Sequence, residues 1–285
     1  MRQRIGEAAI LRPKLSSRHF NYGRHEAPSE LSDFVENLWT VTWDLPAGDS
    51  YTAEVLPYPS VNLSVTNTEA DVTGLVRRRY ERRLIGRGFA IGVRFRPACF
   101  RPFVGWPVSQ MTDKHRPIAD VLGRPTVELR QRIEREENQT RRAGILTAFL
   151  LEDLPPRDET ALLLADIVSR IGNDRGITRV SEVAALAQMS VRSLQRVFGD
   201  YVGAGPKWVI QRFRLQDAAR AAASESVDWS SLAVELGFSD QAHLTRAFTA
   251  TIGAPPATYA RQAQPTSQTD VFRGGVSISV RTDVR

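Results

Sequence analysis

The chain is poor in the residues that build covalent or metal chemistry. It holds one cysteine, Cys99, in 285 residues, so no internal disulfide can form and a cysteine-rich zinc site is excluded. A reducing cytoplasm suits such a composition. Its four histidines, His19, His25, His115 and His243, are scattered with no H-x-H or H-x-x-x-H pair, so no metal site is expected. No G-x-S-x-G, Gly-rich phosphate loop or paired-carboxylate pattern occurs, and neither catalysis nor a cofactor is expected. Long apolar runs are missing too. Nothing approaches the ~20 residues that span a bilayer, and MRQRIGEAAILRPK lacks the core of a signal peptide, so a membrane is not an expected partner. Charge of one sign is scarcer than the net value of +6 suggests. Residues 160–262 carry 11 Lys and Arg against 9 Asp and Glu, and residues 1–159 carry 24 against 21. A nucleic-acid partner would therefore have to be held by a few placed side chains rather than by bulk charge.

What is present is an ordinary globular balance, 42% hydrophobic and 25% charged, over a length that accommodates two cores. Residues 1–18 are polar and read as a flexible lead. Residues 19–122 read as a β-rich domain. There Trp39, Val41 and Trp43 alternate with threonines, Val61, Leu63 and Val65 with Asn62 and Ser64, and Val93 and Phe95 with arginines. Frequent Pro and Gly between these runs suggest a compact antiparallel sheet or barrel, with Ser29–Val35 as a short helix packed on it. After Pro107 the period becomes helical, over Pro125–Glu137 and Thr140–Leu151, and 123–159 read as a connector. Within it Leu154-Pro155-Pro156-Arg157-Asp158 is the linker candidate, because a Pro-Pro pair cannot continue a helix. Thr160–Ile171 opens the last domain, 160–262, as a helix closed by Gly172. The tail, 263–285, is polar, and VSISVRTDV in it is a candidate edge strand.

Near the C-terminal end one segment occurs twice. Leu194, Arg196, Phe198, Gly203 and Pro206 recur fifty residues on as Leu244, Arg246, Phe248, Gly253 and Pro256. Each copy predicts a helix-turn-helix unit, over about 178–199 and 229–250. In the first, Val180, Val183, Ala184 and Leu186 form the inner face of a positioning helix, Ala187-Gln188-Met189 the turn, and Ser190 the N-cap of the next helix. Leu194, Val197 and Phe198 then point inward and leave Arg192, Ser193, Gln195 and Arg196 outward. In the second, Trp229, Leu232, Ala233 and Leu236 position, Gly237 turns and Asp240 caps. Gln241, Ala242, His243, Thr245 and Arg246 are left facing out. Arg pairs bidentately with guanine and Gln with adenine, so these are the side chains a major-groove reader needs. Ser190, Lys207 and Thr245 suit phosphate contacts. Pro206 to about Ala223 reads as a helix with Val209, Phe213, Leu215, Ala218 and Ala219 inward. Its eighteen residues span about 27 Å at ~1.5 Å each. Such a rod can hold two readers near the ~34 Å of one duplex turn.

GFSDQAHLTRAFTATIGAPPATYA and PKWVIQRFRLQDA resemble the second helix-turn-helix and the connecting helix of the AraC-type transcriptional regulators, a likeness covering about residues 163–262. It implies base or backbone contacts for Arg192, Gln195, Arg196, Gln241, His243 and Arg246. Gln188 departs from the family pattern, standing where the first turn usually has Gly. LSDFVENLWTV, VLPYPSVNLSV and IGVRFRP, within about 22–122, are similar to an N-terminal domain found in some members, which implies a sensor or dimerisation role. The expected fold is thus α+β: a β-rich sensor-like domain, then an all-α domain of two helix-turn-helix units joined by a long helix. Double-stranded operator DNA is the expected partner. RNA polymerase, a second copy of the chain and an unidentified small-molecule effector are further candidates. Trp39, Trp43, Tyr58, Phe95 and Trp106 are candidate walls of an effector pocket, although aromatic residues in a sheet domain equally serve as core. RRRYERR (Arg77–Arg83) reads as a solvated charge run or an auxiliary anion contact. Two other functions fit DNA binding: an architectural or antagonist protein without an effector, and a DNA-targeted alkyl-accepting enzyme. The enzyme would need a reactive cysteine and a zinc site, against which the single Cys99 argues.

Overall fold

In the computed structural model the described residues are 20–55, 58–222 and 227–263. The described residues hold eight strands: β1 (Asn21–His25), β2 (Val35–Asp44), β3 (Ser50–Val55), β4 (Asn62–Thr66), β5 (Ala70–Thr73), β6 (Tyr80–Ile85), β7 (Arg87–Phe95) and β8 (His115–Pro117). Six form one antiparallel sheet in the order β1-β2-β7-β4-β5-β8, and β3 pairs with β6 as a separate ribbon. Strand register decides what each sheet face carries. Leu38 opposite Val93, Leu63 opposite Val93, and Val65 opposite Ile91 put one apolar row on one face. That row packs on Phe100, Met111 and Ile118, and on two helices, α3 (Val127–Arg135) and α4 (Gln139–Leu151). Two short helices, α1 (Arg101–Val104) and α2 (Ile118–Leu122), precede them.

The other face bears Trp39, Val41 and Trp43 of β2 over Gly92, Ala90 and Gly88 of β7. A Cβ on Gly92 or Gly88 would overlap the indole of Trp39 or Trp43, so these glycines let the two rings lie on the backbone of the central strand. The alternation expected at Trp39, Val41 and Trp43 is present, but it lines the space between the sheet and the β3–β6 ribbon. Ser29–Leu31 is a single 3-10 turn, shorter than the helix expected over Ser29–Val35, because Val35 already pairs with Phe95 in the sheet.

The Pro-Pro segment is tied to both halves of the chain. Arg157 pairs with Asp33 at 3.1 Å, and Asp158 caps the next helix by accepting from the Ala161 N–H at 3.0 Å. The Tyr201 hydroxyl also donates to Asp158, at 3.1 Å. That next helix, α5 (Glu159–Asn173), runs through Gly172 rather than ending there. A Cβ at Gly172 would come 2.8 Å from the Phe213 ring, so the glycine marks a close helix crossing instead of a stop.

The remaining helices are α6 (Val180–Leu186), α7 (Val191–Tyr201), α8 (Pro206–Ala221), α9 (Trp229–Glu235), α10 (Gln241–Ile252) and α11 (Pro256–Ala263). The first helix-turn-helix, α6–α7, closes around Leu194 and Phe198, and the second, α9–α10, around Leu244 and Phe248; all four side chains are fully buried. Helix α8 lies between the two cores and is enclosed on nearly all sides. It buries Arg214 and Asp217 beside Val209, Phe213, Leu215 and Ala218. Arg214 pairs with Asp217 at 2.8 Å and donates to the carbonyls of Ile171 and Asp174 at 2.7 Å each, so it closes the C-terminal end of α5. The candidate edge strand in the tail and the expected flexible lead lie outside the described residues.

Candidate nucleic-acid interface

The two units share one backbone device at their turns. In the first, Met189 N–H donates to Ala184 O and Gln188 N–H to Ala185 O; in the second, Phe238 N–H donates to Ala233 O and Gly237 N–H to Val234 O. This is the Schellman motif, which places the residue after the cap in the left-handed region. Gln188 sits there at φ 53° and Gly237 at φ 78°. Matched this way, the positioning helices α6 and α9 are offset by 49 residues, whereas α7 and α10 are offset by 50. The second turn is therefore one residue longer, and Ser239 is the extra residue before its cap.

Beyond the turns, Ser190 Oγ accepts from the Ser193 N–H at 3.1 Å and Asp240 accepts from the His243 N–H at 2.7 Å. These bonds satisfy orphan donors at each helix start. The His243 N–H foremost holds the Asp240 carboxyl below the usual carboxylate range, and the Ser231 hydroxyl and N–H do the same for Asp228, the cap of α9. Burial of Leu194 and Phe198 turns Arg192, Gln195 and Arg196 to solvent. Burial of Leu244 and Phe248 likewise exposes Gln241, Ala242 and Arg246 and leaves Thr245 half-buried. Arg196 pairs with Asp200 at 3.9 Å. Gln241, Ala242, Thr245 and Arg246 line a shallow concavity. Lys207 is exposed near the start of α8.

Three of the expected contact residues also hold the local structure. Ser193 Oγ lies 3.0 Å from Ser190 Oγ, within the cap. His243 Nδ1 accepts from the Ser239 N–H at 3.4 Å, and its ring stands edge-on to Phe238 at 5.2 Å. Accepting at Nδ1 requires the neutral tautomer with its proton on Nε2. Gln241 accepts from Ser230 Oγ at 2.9 Å, which ties α10 to α9.

The β-rich domain touches the matching end of each recognition helix. Thr112 Oγ1 donates to Gly203 O at 2.6 Å just past α7, and Arg79 Nη1 reaches Ile252 O at 3.4 Å at the end of α10. Gly203 and Gly253, the repeat-equivalent residues at φ 89° and 87°, lie directly under these two side chains. Arg79 also pairs with Glu54 at 3.1 Å and with Glu81, on the β3–β6 ribbon. The arginine run is thus partly structural: Arg77 pairs with Asp113 at 2.6 Å and Arg82 with Glu69 at 2.7 Å, while Arg79 bridges domains. Sequence reading missed Arg79 and Thr112, since nothing in a charge run or a lone threonine says that they meet a helix end.

Between the sheet and the ribbon lies a cavity of about 350 Å³. Trp39, Trp43 and Tyr58 line it, with Val41, Ser60, Asn62 and Arg94. Phe95 and Trp106 do not, which corrects the expected wall. Phe95 is one residue out of phase with Arg94 and packs on Phe100 and Phe103 in the opposite core, and Trp106 packs against that core as well. Burial pushes the Tyr58 hydroxyl well above its usual range, and the ring stands edge-on to Phe213 of α8 at 5.9 Å. Cys99 is buried against Ala161 O at 3.8 Å, and burial pushes its thiol up to about 12, so it is no nucleophile. Among the described residues there is no group of His, Cys, Asp and Glu able to hold a metal, and no helix is long and apolar enough to cross a membrane.

Residues 183–262 match the family model described as a helix-turn-helix domain, and residues 23–117 match a domain of unknown function, DUF6597. Comparison with curated proteins gave no significant match. Among solved structures, an AraC-type regulator of Chromobacterium violaceum is 22% identical over 35% of this chain and 91% of its own, with a TM-score of 0.33. The DNA-binding domain of AdpA, solved with a target DNA, is 25% identical over 36% and 91%, at 0.31. ToxT of Vibrio cholerae is 8% identical over 86% and 98%, at 0.38. A helix-turn-helix domain thus spans residues 183–262 behind a DUF6597 domain at 23–117, and its paired units resemble those of the AraC-type DNA-binding transcriptional regulators.

Proposed function

We propose that the chain is a cytoplasmic, sequence-specific regulator that reads two successive major grooves with α7 and α10, and whose β-rich domain adjusts that reading when a small molecule enters the cavity. The observation that carries the reading is the pair of matched, exposed faces, Arg192-Gln195-Arg196 and Gln241-Arg246, on caps of identical design. Helix α8 joins them with 16 residues, about 24 Å of rod, a length suited to one duplex turn. In this scheme Ser190, Lys207 and Thr245 hold phosphate, and Ser193 and His243 set the start of each reader as much as they touch DNA. Residues 19–122 sense, 123–159 connect and 160–262 read.

Coupling is supported by Thr112 and Arg79, which sit on the matching ends of the two readers. The ribbon that carries the partners of Arg79 is also one wall of the cavity. A ligand that moves the ribbon thereby alters the seat of α10. RNA polymerase and a second copy of the chain are the further partners this role calls for.

Genome-wide occupancy of the full-length protein tests the reading against an architectural role. Concentration at a few promoters, abolished by the double variant Arg196→Ala/Arg246→Ala, is expected. Even coverage, or occupancy unchanged in the variant, refutes it. Arg79→Ala should change operator affinity without touching the reading face, and identical binding would remove the coupling through α10.

A further inference from the structure

Among the described residues that line the cavity, Arg94 has chemistry the fold leaves unanswered. It is only 8% exposed, and its Nε and Nη1 are buried with no hydrogen-bond partner among the described residues. Its contact is the Tyr58 ring, 5.4 Å from the guanidinium carbon. Burying these atoms without an acceptor is costly, because their three N–H donors have been taken from water and given nothing in return. Glu36, in the bulge of β2, feels the Arg94 charge, yet no ion pair joins the two. Burial raises the Glu36 carboxyl toward its neutral form, and its Oε2 has no partner either. Arg94 therefore has a vacant valence in hydrogen-bonding terms, and it faces a cavity.

The rest of the lining limits what could fill it. Trp39, Val41 and Trp43 make one side flat and apolar. At about 350 Å³ the space lies at the small end of the ~300–1,000 Å³ usual for ligand sites, so the body is of one or two rings. Charge is asymmetric along the cavity. Asn62 lies opposite Arg94 and Ser64 opposite Asp71, which puts the Asp71 backbone about 12 Å from that of Arg94 by strand spacing. At that end Glu69 occupies Arg82, Asp71 adds negative charge, and His115 is exposed. A second anionic group would be repelled there, so one charge is accommodated and two are not.

Resting on the reading of the cavity as an effector site, we propose that its ligand is a small aryl or otherwise flat apolar monocarboxylate. The carboxylate takes the paired N–H groups of Arg94, and the body lies against Trp39 and Trp43. The bidentate geometry of guanidinium and carboxylate suits this recognition. Ligand charge on Arg94 would also fix Tyr58, which it stacks on, and through Tyr58 the side of α8 at Phe213.

The test is calorimetric titration of the full chain with benzoate, 2-naphthoate and indole-3-acetate, each against its neutral carboxamide. At least one acid should bind about 10- to 100-fold more tightly than its amide, the range of a charged hydrogen-bonded pair. Arg94→Gln should abolish that preference while still binding the amide, and Arg94→Lys should keep part of it. Arg94→Gln removes an unpaired buried charge, so its unliganded melting temperature should equal or exceed that of the parent, which checks its folding; if it fails to fold, loss or retention of the preference in Arg94→Lys at reduced size decides instead. Acids and amides binding equally, or a preference that survives Arg94→Gln, overturns the anion assignment and leaves the cavity as an effector site. Silence from every acid and every amide overturns the cavity reading with it.

Discussion

Replacing Gln188 by glycine should stabilise the protein, although the change removes a side chain and adds none. Gln188 stands at φ 53° in the turn of the first unit, where the second unit has Gly237 at φ 78°. Both turns make the same two Schellman hydrogen bonds, so the backbone demands the left-handed region at both positions. Holding an L-residue there costs about 1–2 kcal/mol. Glycine relieves that strain but gives back about 0.5–1 kcal/mol through the freedom it gains in the unfolded chain. The net is a gain of about 0.5–1 kcal/mol, or roughly 1–4 °C in melting temperature for a chain of this size. The Gln188 side chain is exposed, so no packing is lost. The reverse change, Gly237→Gln, meets the same strain and an obstacle besides, because a Cβ there would lie 2.9 Å from Thr178 Cβ. It should destabilise by more than about 1 kcal/mol. Thermal unfolding of the full chain, followed by circular dichroism, reads both. A Gln188→Gly protein that melts lower, or a Gly237→Gln protein that melts unchanged, would refute the claim that the two turns are one device.

Other consequences are as direct. Asp217→Ala leaves the fully buried Arg214 without its carboxylate and removes a partner of Arg220 as well, so urea unfolding should show a loss of about 3–5 kcal/mol. The Asp228 and Asp240 carboxyls are held low in the folded state, so their stabilisation is complete above the ordinary value of about 3.9 and disappears as pH falls through the depressed folded values. Melting temperature should fall below about pH 4, less steeply in Asp240→Asn, which keeps an acceptor at the cap and cannot titrate. Cys99, with its thiol pushed up to about 12, should resist an aromatic disulfide reagent at pH 8 until the chain is unfolded; rapid labelling of the native protein would contradict its burial.

The C-terminal half was legible because its information is local. Caps at Ser190 and Asp240, inward leucine and phenylalanine at i and i+4, and Gly-x-x-Pro stops each state a backbone conformation in a few letters. The one-residue lag between the units was not legible. The fifty-residue register lives in the recognition helices, and the alanine-rich positioning helices carry too little to show their own offset. In the β-rich half, period-two alternation told which side chains share a face and not which face meets the core. Trp39, Trp43 and Phe95 all read as candidate lining with core as the alternative, yet the two tryptophans lie over Gly92 and Gly88 in the cavity and Phe95 is core. Arg94, written in IGVRFRP as the solvent half of an alternating strand, is buried because a separate ribbon covers that face. Gly172 read as a stop and is a crossing point, since only the fold brings Phe213 to it. Long-range placement is what a single sequence holds least of.

The central claim is that one chain reads two successive major grooves through α7 and α10. Methylation interference at guanine N7, run on operator duplexes selected from a random pool by the full-length protein, tests it most directly. Two blocks of interference about 10 base pairs apart on one face of the duplex are predicted. Arg196→Ala should weaken one block and Arg246→Ala the other. A single block, or a pattern that both substitutions leave intact, would contradict the account.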